Sequence, residues 1–435
     1  MQPETRALIA HATQLAKAGR MQEAESAFRA LLENHPQTIE AHSFLADLTL
    51  REGRHAAAVV HYAACRKLEP RSVKFPLLLA LATERAGDLA GAVEIYLEAF
   101  RMNPRDARVA LYAGNALEAV GRREEAVVVF TFGDDVNREV RTAKDDPSAD
   151  PEIRSRAATA DRAFREYFTA FHLRAVDEAE ALAVQRAGSG GAPDLSRVLR
   201  AIWTQTHDGP VGFRTPMQEP SIFYMPDLDP VPSVPREQLP WADLVEAATA
   251  DIRAEYLTAV ESGASMSPYI PAGMMDPGWQ KLRGQLDWSS IHLYAGARET
   301  PFARAFPKTL KALERAGIMP LVCGVPVELF FSRLKPGTHI PPHFGAINSR
   351  LTVHLPLIVP KECSIRVGNE THTWSEGKIF AFDDSFEHEA WNRSTSDRVV
   401  LIFEAHRPDL SLEERKAIEY VFSKRENWLR ARRIP

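Results

Sequence analysis

Over the first 140 positions, small and apolar residues return at a spacing of 34. Gly19, Gly53, Gly87 and Gly121 keep that register, and so do Ala24, Ala58, Ala92 and Ala126. The aromatics Phe28, Tyr62, Tyr96 and Phe130 follow it, as do Pro36, Pro70 and Pro104 and the small residues Ala12, Ala46, Ala80 and Gly114. Alanine and aromatic, four apart, share one face of a helix. The glycine permits a tight turn before that helix, and the proline cannot continue it. Each period therefore predicts a helix–turn–helix unit whose small residue lets the two helices pack close. Residues 152–187 keep helical periodicity and predict one long or two shorter helices. GSGGAP (188–193) reads as a flexible break, and a short helical piece follows around 195–203. Prolines at 216, 220, 226, 230, 232, 235 and 240 predict extended, irregular chain, and the last of them opens an amphipathic helix.

From about residue 285 the pattern changes to short strands: VELFFSRL, RLTVHLPLIV, CSIRVG, THTW, KIFAFDD and RVVLIFEAH. Turn-rich tracts such as KPGTH, PKE and NRSTSD separate them. Many short strands so spaced predict a jelly roll or double-stranded β-helix. Alternation puts Arg350, Thr352 and His354 on one face of their strand.

Length and composition narrow the classes. A chain of 435 residues should hold two or three domains, and 45% hydrophobic with 26% charged residues is an ordinary globular balance. A net charge of −5 argues against nucleic acid as the partner. Cys65, Cys323 and Cys363 are scattered and predict neither a disulfide framework nor a zinc site. The first twenty residues lack an apolar signal core, and no apolar run reaches membrane-spanning length. A cytoplasmic protein without a membrane span is the expectation.

The chemistry is concentrated between Ser332 and Arg398. His343 and His388 stand 45 residues apart, each beside strand-like sequence, and Arg398 follows ten positions later. Neutral imidazoles suit Fe(II), and a guanidinium beside them can hold a carboxylate through two parallel hydrogen bonds. Those residues point to a mononuclear iron site with an anion anchor.

Two resemblances sharpen the picture. The 34-residue register matches the tetratricopeptide repeat, which implies four repeats forming a right-handed solenoid with a concave face, the fourth atypical in having Arg138 at the proline position. GTHIPPHFG, RLTVHLPL and FDDSFEHEAWN resemble the aspartyl/asparaginyl β-hydroxylase family of 2-oxoglutarate-dependent oxygenases, over roughly 215–410. The combination implies a multidomain chain: an all-α repeat domain (1–140), a helical connector and linker (141–210), and an all-β double-stranded β-helix oxygenase domain with flanking helices (211–435). It implies Fe(II) held by His343 and His388, with Gly345 where most such oxygenases place an aspartate ligand. It implies 2-oxoglutarate held at its distal carboxylate by Arg398 with Ser332, and near its chelating end by His354. Thr352 stands where some members have a second arginine, and Arg350 is the residue that could compensate. With O2, the implied reaction hydroxylates an unactivated carbon, in first place the β-carbon of Asp or Asn in a peptide or protein lying between repeats and barrel.

Other readings stay open beside it. A lipid or a free amino acid could be the substrate, and the glycine vacancy is shared with iron halogenases. A repeat adaptor with a degenerate oxygenase domain is the non-enzymatic alternative. Asp383 and Asp384 read as turn-shaping residues rather than ligands; His339, His372 and His406 read as structural; and the basic tail reads as the solvated face of a terminal helix.

Overall fold

The computed structural model describes residues 3–187, 191–274 and 276–435. Gly188, Ser189 and Gly190 of the expected break lie outside the described residues. The chain divides into two compact units, one reaching Tyr167 and including Arg432–Pro435, the other Phe168–Ala431.

In the first unit the predicted pairs are α1 (Pro3–Lys17) with α2 (Met21–Asn34), and α3 (Ile39–Arg51) with α4 (His55–Leu68). The next are α5 (Lys74–Arg85) with α6 (Leu89–Met102), and α7 (Ala107–Ala119) with α8 (Arg123–Val136). The turn glycines have φ of 76°, 74°, 94° and 80°, a region a side chain would strain. Ala24, Ala58, Ala92 and Ala126 are fully buried beside Phe28, Tyr62, Tyr96 and Phe130. At Gly114 the demand for a small residue is absolute, since a Cβ there would lie 2.3 Å from the Phe130 ring. The two tyrosines that replace phenylalanine each find a partner: Tyr62 donates to Asp47 and Tyr96 to Glu84, both at 2.6 Å. Past Arg138 the chain adds the short α9 (Glu139–Thr142) and then one continuous helix, α10 (Pro151–Ala187).

Within the segment expected as connector and linker (141–210), α10 contributes its part up to Tyr167 to the first unit and its part from Phe168 to the second. Ala157, Ala160 and Phe164 belong to the first unit's buried residues. Ala175, Val176 and Ala179 pack in the second with Val198, Trp203 and Phe223, so the division falls inside α10.

The second unit holds two antiparallel sheets. Its chain runs through α11 (Ser196–Leu199), the small pair β1 (Ile202–Trp203) and β2 (Phe223–Tyr224), and β3 (Ser233–Val234). The helix expected from Pro240 forms as two, α12 (Ala242–Glu246) and α13 (Thr249–Glu261). Then come β4 (Ser267–Pro268), β5 (Trp288–Tyr294), α14 (Pro307–Ala316), and the small pair β6 (Leu321–Val322) and β7 (Val325–Pro326). The remaining strands are β8 (Leu329–Leu334), β9 (His339–His343), β10 (Arg350–Ile358), β11 (Cys363–Val367), β12 (Glu370–His372), β13 (Phe380–Phe382), β14 (His388–Asn392) and β15 (Arg398–His406), closed by α15 (Leu412–Ala431).

The major sheet has the order β3-β13-β10-β15-β8-β5-β4 and the minor sheet β12-β11-β14-β9. One face of the major sheet, with Leu351, Val353, Leu355, Leu401 and Phe403, packs on α12–α14 through Val245, Ile252 and Leu313. The alternate residues face the other way, toward the minor sheet. Among the described residues no helix is long and apolar enough to cross a membrane, and Cys65, Cys323 and Cys363 are free thiols.

Candidate active site

β9 and β14 are neighbours in the minor sheet, and their register sets His343 directly opposite His388. The two rings come within 4.0 Å, centroid to centroid. β9 contains Pro341 and Pro342, which cost ladder donors, and an edge position tolerates that loss. The ladder is irregular between His388 and Ala390. Each ring is fixed through Nδ1: His343 donates to the Pro341 carbonyl at 2.8 Å and His388 to the Phe386 carbonyl at 2.9 Å. That tautomer leaves the Nε2 lone pair of both rings for an electrophile, the usual orientation of a metal-binding histidine. Burial, then the neighbouring histidine, lowers the His343 pKa to about 3, and burial lowers that of His388 to about 4. Both imidazoles are neutral at physiological pH, as ligands must be.

These rings line a cavity of about 360 Å³ between the sheets. One end of it is a set of donors without acceptors. Arg398 is 1% exposed, its guanidinium lies 4.8 Å over Trp374, and its Nε and Nη1 have no hydrogen-bond partner. Burial pushes its pKa down to about 10, still far above neutrality. The Ser332 hydroxyl accepts from Trp288 Nε1 at 3.1 Å, which turns its own proton toward another acceptor. His354 is held likewise: its Nδ1 accepts from Trp374 Nε1 at 3.2 Å, so the proton sits on Nε2. Its pKa is driven well below the usual histidine value by burial and then by Arg398. Three buried donors converging on empty acceptor space fit a carboxylate-bearing ligand.

Arg350 is placed differently. Its Nη1 pairs with Glu404 at 3.1 Å and its guanidinium stacks 4.7 Å over Phe422, and it is not among the residues lining the cavity. The partner of Thr352 across the ladder is Glu404, and the Thr352 hydroxyl donates to Asp384 at 3.0 Å.

The two aspartates before His388 have separate roles. Asp383 is fully buried in a network with Arg407 (3.1 Å), Gln218 (2.9 Å) and its own turn residue Ser385, as a turn-shaping residue should be. Asp384 faces the cavity instead. Its carboxylate occupies the space beside Gly345, its Cγ lying 2.2 Å from where a Cβ there would stand. Burial raises its pKa to about 6. Gly345 is thus required by a neighbouring acid, which residue spacing along the chain did not reveal. Trp288 and Trp374, which orient the donors, also carried no linear signal. Among the described residues no group of three or more His, Cys, Asp or Glu is gathered to hold a metal ion; the pair His343 and His388 stands alone. His339, His372 and His406 are bonded to Glu389 (2.8 Å), Glu370 (3.3 Å) and Glu419 (3.1 Å), outside the cavity.

The chain thus joins an α-repeat unit to a two-sheet unit that holds a histidine pair and a buried arginine with two unpaired nitrogens. Residues 246–408 match the family model for Aspartyl/Asparaginyl beta-hydroxylase, and residues 9–70 and 77–130 match that for the tetratricopeptide repeat. Residues 246–408 are thus similar to that family's domain, and they follow a region similar to tetratricopeptide repeats. Human Aspartyl/asparaginyl beta-hydroxylase is 40% identical over 149 residues, which are 34% of this chain and 19% of that protein. Ornithine lipid ester-linked acyl 2-hydroxylase of Rhizobium tropici is 34% identical over 173 residues, 39% of this chain and 58% of that protein. The matched segment therefore spans a fifth to somewhat over half of these relatives. A crystal structure of MamA protein aligns with 44% of this chain and 100% of its own at 15% identity and a TM-score of 0.31, a slight likeness that adds nothing to the repeat register.

Proposed function

We propose that the second unit is an Fe(II)- and 2-oxoglutarate-dependent dioxygenase that hydroxylates an unactivated carbon, with the β-carbon of an Asp or Asn residue in a polypeptide as the target suggested by the relatives' names. The observation that carries this reading is Arg398: a buried guanidinium with two unpaired nitrogens, in the same cavity as a neutral histidine pair. Keeping a buried charge without a partner costs several kcal/mol, so a ligand carboxylate is its natural complement.

His343 and His388 would hold the ferrous ion through Nε2, and Gly345 with Asp384 beyond it leaves the remaining coordination positions to water and ligands. Arg398 and the Ser332 hydroxyl would take the distal carboxylate of the keto acid, and His354 would offer its Nε2 proton near the chelating end. Once bound, iron and keto acid supply O2 activation and removal of the substrate hydrogen. The chain's part is orientation and dryness. Trp279, Trp288 and Phe344 line the approach, and the Nδ1–carbonyl bonds keep both imidazoles in one tautomer. A repeat unit in the same chain favours a polypeptide substrate over a small molecule.

The test is anaerobic addition of Fe(II) and 2-oxoglutarate to the full chain. A weak visible charge-transfer band should appear, and His343→Ala should abolish it and lower succinate release at least about 100-fold. A wild-type protein that forms no band sinks the reading.

A further inference from the structure

The two ends of the cavity carry opposite charge, and only the donor end is used by a keto acid. Arg398, Ile402 and Glu404 of β15 line the cavity, and at roughly 3.4 Å per residue the last stands about 20 Å along the strand from the first. The ladder partners carry the same progression. Ser332 lies opposite Val400, and Phe330 and His354 lie opposite Ile402. Thr352 lies opposite Glu404, and Glu328 lines the same cavity two residues before Phe330. Polarity therefore reverses along one wall, from Arg398 with its donors to Glu404 with Glu328.

The charge count at the acidic end leaves carboxyl in excess. Glu328, Glu404 and Asp384, three carboxyls, all line the cavity, and the cation beside them among the described residues is Arg350, whose Nη1 bonds Glu404 at 3.1 Å while its Nε and Nη2 have no hydrogen-bond partner. Glu328 has a backbone donor, Gly296, at 3.1 Å and His292 at 3.8 Å, but burial keeps that histidine's pKa low and its ring neutral. Burial first, and then Glu404, raise the Glu328 pKa to about 7, against the lowering effect of the Gly296 donor. Glu328 and Glu404 side chains remain 36% and 21% exposed, so a ligand in the cavity can reach them. The outer groove, of about 670 Å³, shares Ser221, Trp279, His343 and Phe344 with the cavity and adds Glu219 and Asp276. Among the described residues its lining contains no Lys or Arg. That the cavity is a ligand site rests on separate ground, the unpaired and buried Arg398 at its other end.

We infer that the substrate carries a positively charged group, a Lys or Arg side chain beside the oxidised residue, which docks on Glu328 and Glu404 at the end of the cavity remote from Arg398. This rests on the dioxygenase reading of the cavity and adds to it the charge of the substrate. A basic flank meets the excess carboxylates, whereas an acidic flank would be repelled along the whole approach.

Blocked alanine-based heptapeptides with a central Asn flanked on both sides by Lys, Ala or Glu provide the probes, with cadaverine as a free-amine arm. Binding is measured by calorimetry on the full chain, anaerobically, with Fe(II) and saturating 2-oxoglutarate. The Lys-flanked peptide should bind at least tenfold more tightly than the Ala-flanked one, the Glu-flanked one most weakly, and the advantage should shrink as salt is raised. Glu328→Gln, which keeps an acceptor for Gly296, should reduce the advantage to under threefold. Equal affinity for Lys and Ala flanks, an advantage undiminished in Glu328→Gln, or no cation binding in any arm overturns the inference. Cadaverine binding as tightly as the Lys-flanked peptide would also overturn it, by assigning the site to a free amine. The charge-transfer band with 2-oxoglutarate is read in the same samples, so failure of the dioxygenase site itself is seen separately.

Discussion

The two units treat buried polarity in opposite ways. In the first unit the large buried polar side chains come with partners, as in Tyr62 with Asp47, Tyr96 with Glu84, and Arg156 with Glu84 and Glu152. In the two-sheet unit Arg398 lies as deep and keeps Nε and Nη1 unpaired, while Glu328, Asp384 and Glu404 crowd one end of the same cavity. The first arrangement serves packing alone. The second stores unfavourable free energy that a ligand can release, which is how a binding site differs from a core.

The sharpest way to break that contrast is to damage the repeat core. Phe130 is fully buried against Gly114 and 6.5 Å from Phe164, so Phe130→Ala should lower the stability of the repeat unit by about 3–5 kcal/mol. Thermal melting followed by circular dichroism reads the loss. If it is below about 1 kcal/mol, the repeat core is not packed as described.

Arg398→Met tests the other side. Removing an unpaired buried charge should raise the melting temperature of the ligand-free protein, while 2-oxoglutarate affinity falls at least about tenfold through loss of charge-assisted hydrogen bonds. A variant that melts lower and binds equally well would show Arg398 to be structural.

His172 sharpens the comparison through pH. It is 4% exposed, bonded to the Val198 carbonyl and Trp203 Nε1, and burial lowers its pKa to about 4. The unfolded chain takes that proton near pH 6.5 and the folded chain refuses it, so stability declines as pH falls from about 6.5 toward 4. The His172 share of the decline is roughly 2–4 kcal/mol. His172→Phe should flatten the acid limb when melting temperatures at pH 7 and 4.5 are compared.

The smallest effect is expected at Gly53. Its φ is 74° with open space around the missing Cβ, so Gly53→Ala should cost about 1–2 kcal/mol from backbone strain alone. A neutral substitution, measured by urea unfolding, would mean that this turn relaxes.

Legibility in the sequence follows the same division. The repeats were readable because each contact is local and recurs: Gly19, Ala24 and Phe28 state their geometry once, and three further repeats restate it. β8, β10, β13 and β15 of the major sheet are readable as strands, whereas β3, β4 and β5 carry no such signal. β9 and β14, which carry the histidines, give no strand signal, since Pro341-Pro342 and the polar HEAWN lack that signature. The candidate ligands themselves were found by motif, and their rings do meet. What stayed hidden depends on pairs remote in sequence, such as Trp288 with Ser332, Trp374 with His354, Asp384 beside Gly345, and Glu404 opposite Thr352. The apolar partners of the end of α10 are remote in the same way, lying as far along the chain as Ile418.

The pairing of His343 with His388 across two adjacent strands also bears on how the molecule is held shut. β9 is the outermost strand of its sheet, and two of its five residues are prolines with no amide proton to give. An ion gripped by both rings would rivet that strand to its neighbour, so chelation should loosen the rim of the barrel before anything else. Amide hydrogen exchange in β14 would then report metal occupancy directly.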